Sequence, residues 1–308
     1  MSAMEDADVT AVRRFNRFYT QTIGALDARF LGTDASLPEA RLLFEIATRE
    51  PVTASVLQDV LGMDAGYLSR MIARFQTRGW VVRVVREDDA RARDLRLTEA
   101  GRGAFAIIDA RQRDAVSDLL DEVPGTSRRD LVEALTRARL LLDPGSGGPF
   151  HIRPFRTGEP ALIAARQSIL YAESHGWGRE LEVIEGEVIA AFLRDFDPAR
   201  EQCWVAEIDG VLAGAVFVTD EGDGLARLRL LHVEPFARRR GIGEALVARC
   251  VGFAREAGYS ALTLWTHTVL EAARRIYAAQ GFRCVETAMH DRFGVPLQGE
   301  TWRLELAA

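Results

Sequence analysis

The segment Leu231-His232-Val233-Glu234-Pro235-Phe236-Ala237-Arg238-Arg239-Arg240-Gly241-Ile242-Gly243 joins an apolar, strand-like stretch, Leu225 to Val233, to a helical run that continues to about Ala257. A strand, then Arg-x-x-Gly-x-Gly, then a helix is an arrangement that binds anions. The first backbone N–H groups of a helix lack partners within it, and the helix dipole makes that end electropositive. Gly241 and Gly243 let this backbone approach a phosphate without a Cβ in the way. A Gly-x-Gly turn by itself serves tight packing equally well, so the flanking elements carry the reading.

Working outward, Cys203 to Ile208 and Val211 to Val218 read as a hairpin across Asp209-Gly210. Ala261 to Thr266 reads as a strand and Val269 to Gln280 as a helix stopped by Gly281-Phe282, with two more strands between Phe282 and Leu306. In this setting the Arg238 to Gly243 stretch resembles motif A of the GNAT acyltransferases, R/Q-x-x-G-x-G/A. Ala273-Arg274-Arg275-Ile276-Tyr277-Ala278-Ala279-Gln280-Gly281-Phe282 is similar to A-x-x-x-Y-x-x-x-G-F of motif B, at the family's order and spacing. The resemblance implies an α/β (α+β) GNAT acyltransferase fold over residues 150–308, with acetyl-CoA as cosubstrate. It implies a cofactor site that includes Leu231 and Val233, with backbone groups at Val233 on the pantetheine. The N–H groups of Arg238, Arg239, Arg240, Gly241, Ile242 and Gly243 would hold the pyrophosphate. Tyr277 would act as general acid toward the departing thiolate; the alternative for it is a buried core aromatic.

Two positions depart from the family pattern. Leu270 stands where many members carry Asn, and about Arg227 where some place a catalytic Glu. No general base is therefore supplied by motif, and His232, Glu234, Glu300 or a water chain stay open. The five His residues show no metal-ligand spacing, so no metal is expected. Between the first two helices of this half, Trp177 is a candidate to line the acceptor pocket and Glu180 or Glu182 to hold a cationic amine. An ordinary solvated helix start is the other reading of that stretch.

Upstream, Asp143-Pro144-Gly145-Ser146-Gly147-Gly148-Pro149 breaks the pattern and reads as a flexible linker, residues 144–149, between domains at 1–143 and 150–308. The first domain reads as mostly α. A helix capped by Thr53 is followed by the Gly62-Met63 turn and a helix capped by Asp64 that runs to about Arg78. On the latter, Leu68, Met71, Ile72 and Phe75 recur at helical spacing and face inward, leaving Tyr67, Ser69, Arg70 and Arg74 outside. Trp80 to Val85 and Asp94 to Thr98 form a hairpin with a charged tip. Between Tyr67 and Arg96 there are eight Arg and four acidic residues, a local +4 in a chain whose net charge is −6. This is a winged helix-turn-helix, with a helix face narrow enough for a major groove and a basic tip suited to a minor groove.

Asp89-Ala90-Arg91-Ala92-Arg93-Asp94-Leu95-Arg96-Leu97-Thr98 fits the D-x-R-x-x-x-L-x-L-T wing signature of the MarR regulators, and the resemblance spans about Asp8 to Leu142. It implies a homodimer, built from the first and last two helices, on a palindromic double-stranded DNA operator. Tyr67, Ser69, Arg70 and Arg74 on the helix and Arg91 and Arg93 on the wing are the candidate DNA contacts. A purely dimerising or protein-binding module is the alternative.

The length of 308 residues suits two domains, and 48% apolar residues suffice for two cores. The chain contains no Lys, so every basic side chain except His is a guanidinium, the better fork for phosphates and guanine edges. Three scattered Cys do not make a disulfide framework. Met1 to Thr10 lacks the apolar run of a signal peptide, and no stretch is long enough for a membrane helix. A cytoplasmic protein is expected. Two functional readings follow: a transcriptional regulator that is also an N-acetyltransferase for a small-molecule amine, or a non-enzymatic regulator whose second half senses acetyl-CoA or a small ligand.

Overall fold

Capping residues set where the N-terminal helices begin. The computed structural model describes residues 3–85 and 93–306, in two units, Met1–Arg128 and Arg129–Ala308. In the first, α1 (Ala3–Thr22) precedes α2 (Leu37–Arg49), whose Glu39 carboxylate accepts from the Ser36 backbone N–H at 2.9 Å. After β1 (Val52–Thr53), Thr53 caps α3 (Ala54–Leu61). Gly62 turns the chain at φ 59°, and Asp64 caps α4 (Ala65–Thr77) by accepting from the Tyr67 N–H at 2.9 Å. Leu68, Met71, Ile72 and Phe75 point inward and share a core with Leu42, Leu43, Ile46 and Leu57. The hairpin of β2 (Val81–Val85) and β3 (Arg93–Leu97) pairs β3 in turn with β1. Its tip, with Arg91, lies outside the described residues. Thr98 then caps α5 (Glu99–Asp121), which runs so close to the hairpin that a Cβ on Gly101 would sit 2.0 Å from the Trp80 carbonyl oxygen.

The second unit contains most of α6 (Gly125–Leu142), then β4 (Phe150–Pro154), α7 (Glu159–His175) and α8 (Arg179–Asp195). There follow β5 (Gln202–Ile208), β6 (Val211–Asp220), β7 (Leu225–Val233), α9 (Ile242–Glu256), β8 (Ala261–His267), α10 (Glu271–Ala279), β9 (Arg283–His290) and β10 (Leu297–Glu305). The strands form one seven-stranded sheet in the order β4-β5-β6-β7-β8-β10-β9, antiparallel except where β7 meets β8. Central β6 is buried on both faces, which explains its continuous apolar run. Val216 and Val218 face the core built with Leu246, Val247 and Cys250 of α9, whereas Ala215 and Phe217 face Ile163 of α7 and Ile189 and Phe192 of α8. Leu140 of α6 is buried in the α9-side core.

The segment after α6, read as a spacer from its Pro and Gly content, has fixed partners. Asp143 accepts from the Gly145 N–H, Arg139 donates to the Ser146 carbonyl, and Arg240 donates to the carbonyls of Gly147 and Gly148. A Cβ on Gly147 would lie within 3 Å of Leu140, Ile208 and Arg240 side chains, so the glycine permits close packing. Glu234, only 1% exposed, is held in a bidentate pair by Arg166 of α7 and flanked by Arg137 of α6. Burial pushes its carboxyl up, but the Arg166 bonds and charge outweigh this and hold it below the usual range. Arg166→Met strands this carboxylate, and urea denaturation should register a loss of about 3–5 kcal/mol, the lower end because Arg137 remains. Wild-type stability in that variant would mean the pair does not hold α7 to the sheet.

Candidate functional site

Strand β7 has one residue more than β6 pairs with: the register shifts between Phe217–Arg229 and Ala215–His232. Leu230 takes up the extra residue at φ 52°, a left-handed conformation uncommon for a branched side chain. Parallel pairing of β7 with β8 covers only Leu225–Leu228 against Ala261–Leu264. Past the bulge the two strands are unpaired, and a cleft of about 850 Å³ opens there. That size lies within the roughly 300–1,000 Å³ of ligand pockets.

Leu231, His232 and Val233 form one wall, the start of α9 a second, and Leu270, Ala273 and Ile276 a third. Gly241 is the N-cap of α9 at φ 78° and offers no side-chain cap. The first intrahelical bond runs from Ala245 N–H to the Gly241 carbonyl, so the N–H groups of Ile242, Gly243 and Glu244 have no helical acceptor. Arg239 is also left-handed, at φ 62°, and turns of this kind direct successive N–H groups into one concavity. Arg238, Arg239, Gly241, Ile242 and Gly243 line the cleft; Arg240 does not, its guanidinium being turned to Gly147 and Gly148. Gly243 has a further role: a Cβ there would meet Ile276 Cδ1 at 2.8 Å, so the glycine lets α9 and α10 approach. An uncapped helix start with two guanidiniums at its rim, opening into a long apolar cleft, fits a phosphorylated cofactor with a slender tail.

A smaller pocket of about 130 Å³ adjoins the cleft, sharing Gln167, Tyr171, Leu231, Leu270 and Ala273 with it. Trp177 lines it, 3% exposed and packed on Tyr171, His267 and Phe293 with ring centroids 4.7–4.9 Å apart. Glu180 and Glu182 are exposed in the first turn of α8 and line neither space. Tyr277 lines the small pocket, is 5% exposed, and its hydroxyl has no hydrogen-bond partner among the described residues. Burial pushes its phenol far above the ordinary range, so it stays protonated. Glu185 of α8 lines the same pocket at 2% exposure and accepts a short bond from the Ser168 hydroxyl. Burial pushes this carboxyl up to about 7, with Ser168 opposing and Glu182 adding to the rise.

The bases left open by the sequence are placed differently. Glu234 is locked to Arg166, and Glu300 to Arg274 and the Trp302 indole N–H. Neither lines the cleft or the pocket. His232 lines the cleft, but both ring nitrogens are buried without partners among the described residues, and burial pushes it down to about 4. His267 shares a 3.0 Å contact with His290 and is pushed down to about 4, by burial first and then by that neighbour.

On the first unit, Tyr67, Ser69, Arg70 and Arg74 are all exposed on α4, and Arg93 is exposed at the start of β3. Arg74 also approaches Glu39 at 3.5 Å, which draws its guanidinium toward the protein's own acid.

Residues 167–282 match the sequence model of the acetyltransferase (GNAT) family, and residues 33–92 that of the MarR family. The chain joins a MarR-family region to a GNAT-family acetyltransferase domain. Over 89 residues it is 39% identical to the N-acetylaspartate synthetase of Danio rerio, covering 29% of this chain and 32% of that one. Over 100 residues it is 36% identical to the mycothiol acetyltransferase of Mycolicibacterium vanbaalenii, covering 32% of each. The chain thus spans about a third of the length of these curated relatives. Among solved structures, an N-acetyltransferase from Staphylococcus aureus is similar at 17% identity, with 52% of this chain and all of that one covered and a TM-score of 0.44. GNAT acetyltransferases take their acyl group from acetyl-CoA.

Against the GNAT reading of the sequence, the additions are Glu185, Tyr171 and Gln167. Glu185 had a legible signal. It falls on the stripe of Leu181, Ile189 and Phe192 that α8 buries, a charge where an apolar residue belongs. Gly241→Val forces a β-branched residue into the left-handed region and disorders the N–H groups of the loop. Calorimetry with acetyl-CoA should then show affinity lower by about tenfold or more, the loss of one hydrogen bond to a charged group. Unchanged affinity would remove this loop from the cofactor site.

Proposed function

We propose that the chain is a DNA-binding regulator and an acetyl-CoA-dependent N-acetyltransferase of a small amine. The observation that carries the catalytic part is the pocket where a buried carboxyl, Glu185, and a buried phenol, Tyr277, adjoin the cleft. Acetyl-CoA supplies an acyl group activated as a thioester. Arg238 to Gly243 would hold its phosphates, and Leu231 and Val233 its slender arm. Glu185 takes the proton that the amine loses as its nitrogen bonds to the acyl carbon and the C–S bond breaks. Tyr277 gives its proton to the leaving sulfur. One group starts ionised and the other neutral, which is the split in acidity that paired acid and base catalysis needs.

The regulatory part rests on the exposed Arg-bearing face of α4. A dimer is supported by α1, which buries none of its described apolar side chains: Val9, Val12, Phe15 and Phe18 are 47–62% exposed. A helix with such a stripe needs a partner surface, here a second copy.

Thiol release from acetyl-CoA with a panel of amines tests the chemistry. Tyr277→Phe should lower kcat about 10²–10⁴-fold with little change in acetyl-CoA affinity. Because Glu185 must be ionised to act, wild-type kcat/KM should rise with pH through about 7, and Glu185→Gln should abolish that limb. Acetyl-CoA binding without thiol release from any amine would leave a ligand-sensing regulator instead.

The DNA face is tested by a gel shift on the upstream DNA. Arg70→Ala should cost about 1–3 kcal/mol and relax site preference if it reads a base edge. Arg91→Ala should weaken all sequences alike and flatten the salt dependence by about one unit of log–log slope. A dimer with no salt-sensitive affinity for any duplex would refute the regulatory reading.

A further inference from the structure

Four residues of the small pocket, Arg227, Arg229, Glu185 and Trp177, decide which amine it suits. Arg227 and Arg229 of β7 both line it, and both turn to one carboxylate, Glu221, at 3.1 and 2.7 Å. A single carboxylate balances only one of the two guanidiniums, so this wall keeps a positive charge. Arg229 is otherwise spent, its Nε donating to the Thr219 hydroxyl at 3.1 Å. The Arg227 Nε–H is buried and has no acceptor among the described residues. A buried donor of this kind costs free energy until something accepts from it. Glu185 stands on another wall, on α8, bonded to Ser168 and in no ion pair with either arginine. The pocket therefore carries groups of opposite charge on separate walls, and Trp177 lines the same space.

We propose that the acceptor is an amino-acid-type molecule, its carboxylate received by Arg227 and its amine directed to Glu185. The inference rests on the acyl-transfer reading of this pocket. A guanidinium is the side chain best shaped for a carboxylate, because its parallel N–H groups match the two oxygens. The space of about 130 Å³ falls well below the roughly 300–1,000 Å³ that encloses drug-sized ligands, so the enclosed part of the acceptor is small. By the sequence resemblance, this arginine stands at about the strand position where some family members carry a catalytic Glu. Here that position selects the acceptor, and the base comes from α8.

The test uses the full chain and matched pairs: each common L-amino acid and the amine lacking its carboxylate. Thiol release is measured at saturating acetyl-CoA, and binding without acetyl-CoA by saturation-transfer NMR. At least one amino acid should exceed its paired amine by tenfold or more in kcat/KM. Arg227→Gln should erase that ratio by raising KM for the amino acid at least tenfold, leaving the amine's KM and acetyl-CoA affinity unchanged. Arg227→Lys, which retains the charge, should recover part of the discrimination and guards against a folding defect in the Gln variant. Equal or better turnover of the amine in every pair, or a ratio untouched by Arg227→Gln, would overturn the proposal while leaving acyl transfer intact. Arg227-dependent binding of amino acids with no thiol release would uphold the pocket assignment and refute acyl transfer. Absence of binding and turnover for every pair would overturn the acceptor assignment.

Discussion

A single surplus residue in β7, accommodated at Leu230 in a left-handed conformation, separates two strands that would otherwise close the sheet. Parallel pairing to β8 ends at Leu228, and the larger cleft opens beyond that point. Leu231 and Val233 line the larger cleft, while Trp265 and His267 on β8 line the small pocket. A flat, fully paired sheet at this place would leave neither space. The strain of one unusual φ is held by the cores on both faces, where β6 contributes alternate residues to each.

The same bulge reverses which face the β7 side chains address. Before it, Ala226 and Leu228 enter the α9-side core while Arg227 and Arg229 turn to the small pocket; after it, Leu231 and Val233 pack toward α9 and His232 lies between. Polar residues of α7 tie this irregular stretch, the residue that follows it and α8 together. Gln167 donates to the Leu231 carbonyl, Ser168 to Glu185, and Arg166 to Glu234. The first two hold residues that line the cleft or the small pocket, and the third holds the residue just past β7. Burial then raises the Glu185 carboxyl and the Tyr277 phenol together. The former reaches neutral pH and the latter stays protonated, because a carboxyl starts so much lower.

Much of this was readable from the chain. The strand–Arg-x-x-Gly-x-Gly–helix order located the uncapped start of α9 at the cleft, and the spacing to Tyr277 located α10, because both signals are local. The inward stripe of α4 followed from helical spacing alone. The illegible parts depend on contacts distant in sequence. Arg240 belongs to the loop motif, yet its guanidinium holds Gly147 and Gly148, about ninety positions away. Pro and Gly between 144 and 149 signal the end of a helix correctly, but they do not signal the side chains that hold the segment in place. Glu185 was visible as an anomaly on α8, and only the pocket gives it a purpose.

The measurement that reaches the central claim most directly is amide hydrogen exchange, with and without acetyl-CoA, on the intact chain. If the bulged end of β7 and the uncapped start of α9 form the cofactor site, exchange should slow in peptides covering residues 231–244, and more weakly in those covering α10. The first unit's α4 and hairpin serve as the internal reference. Protection confined to other segments, or none at acetyl-CoA concentrations that saturate binding, would contradict the assignment.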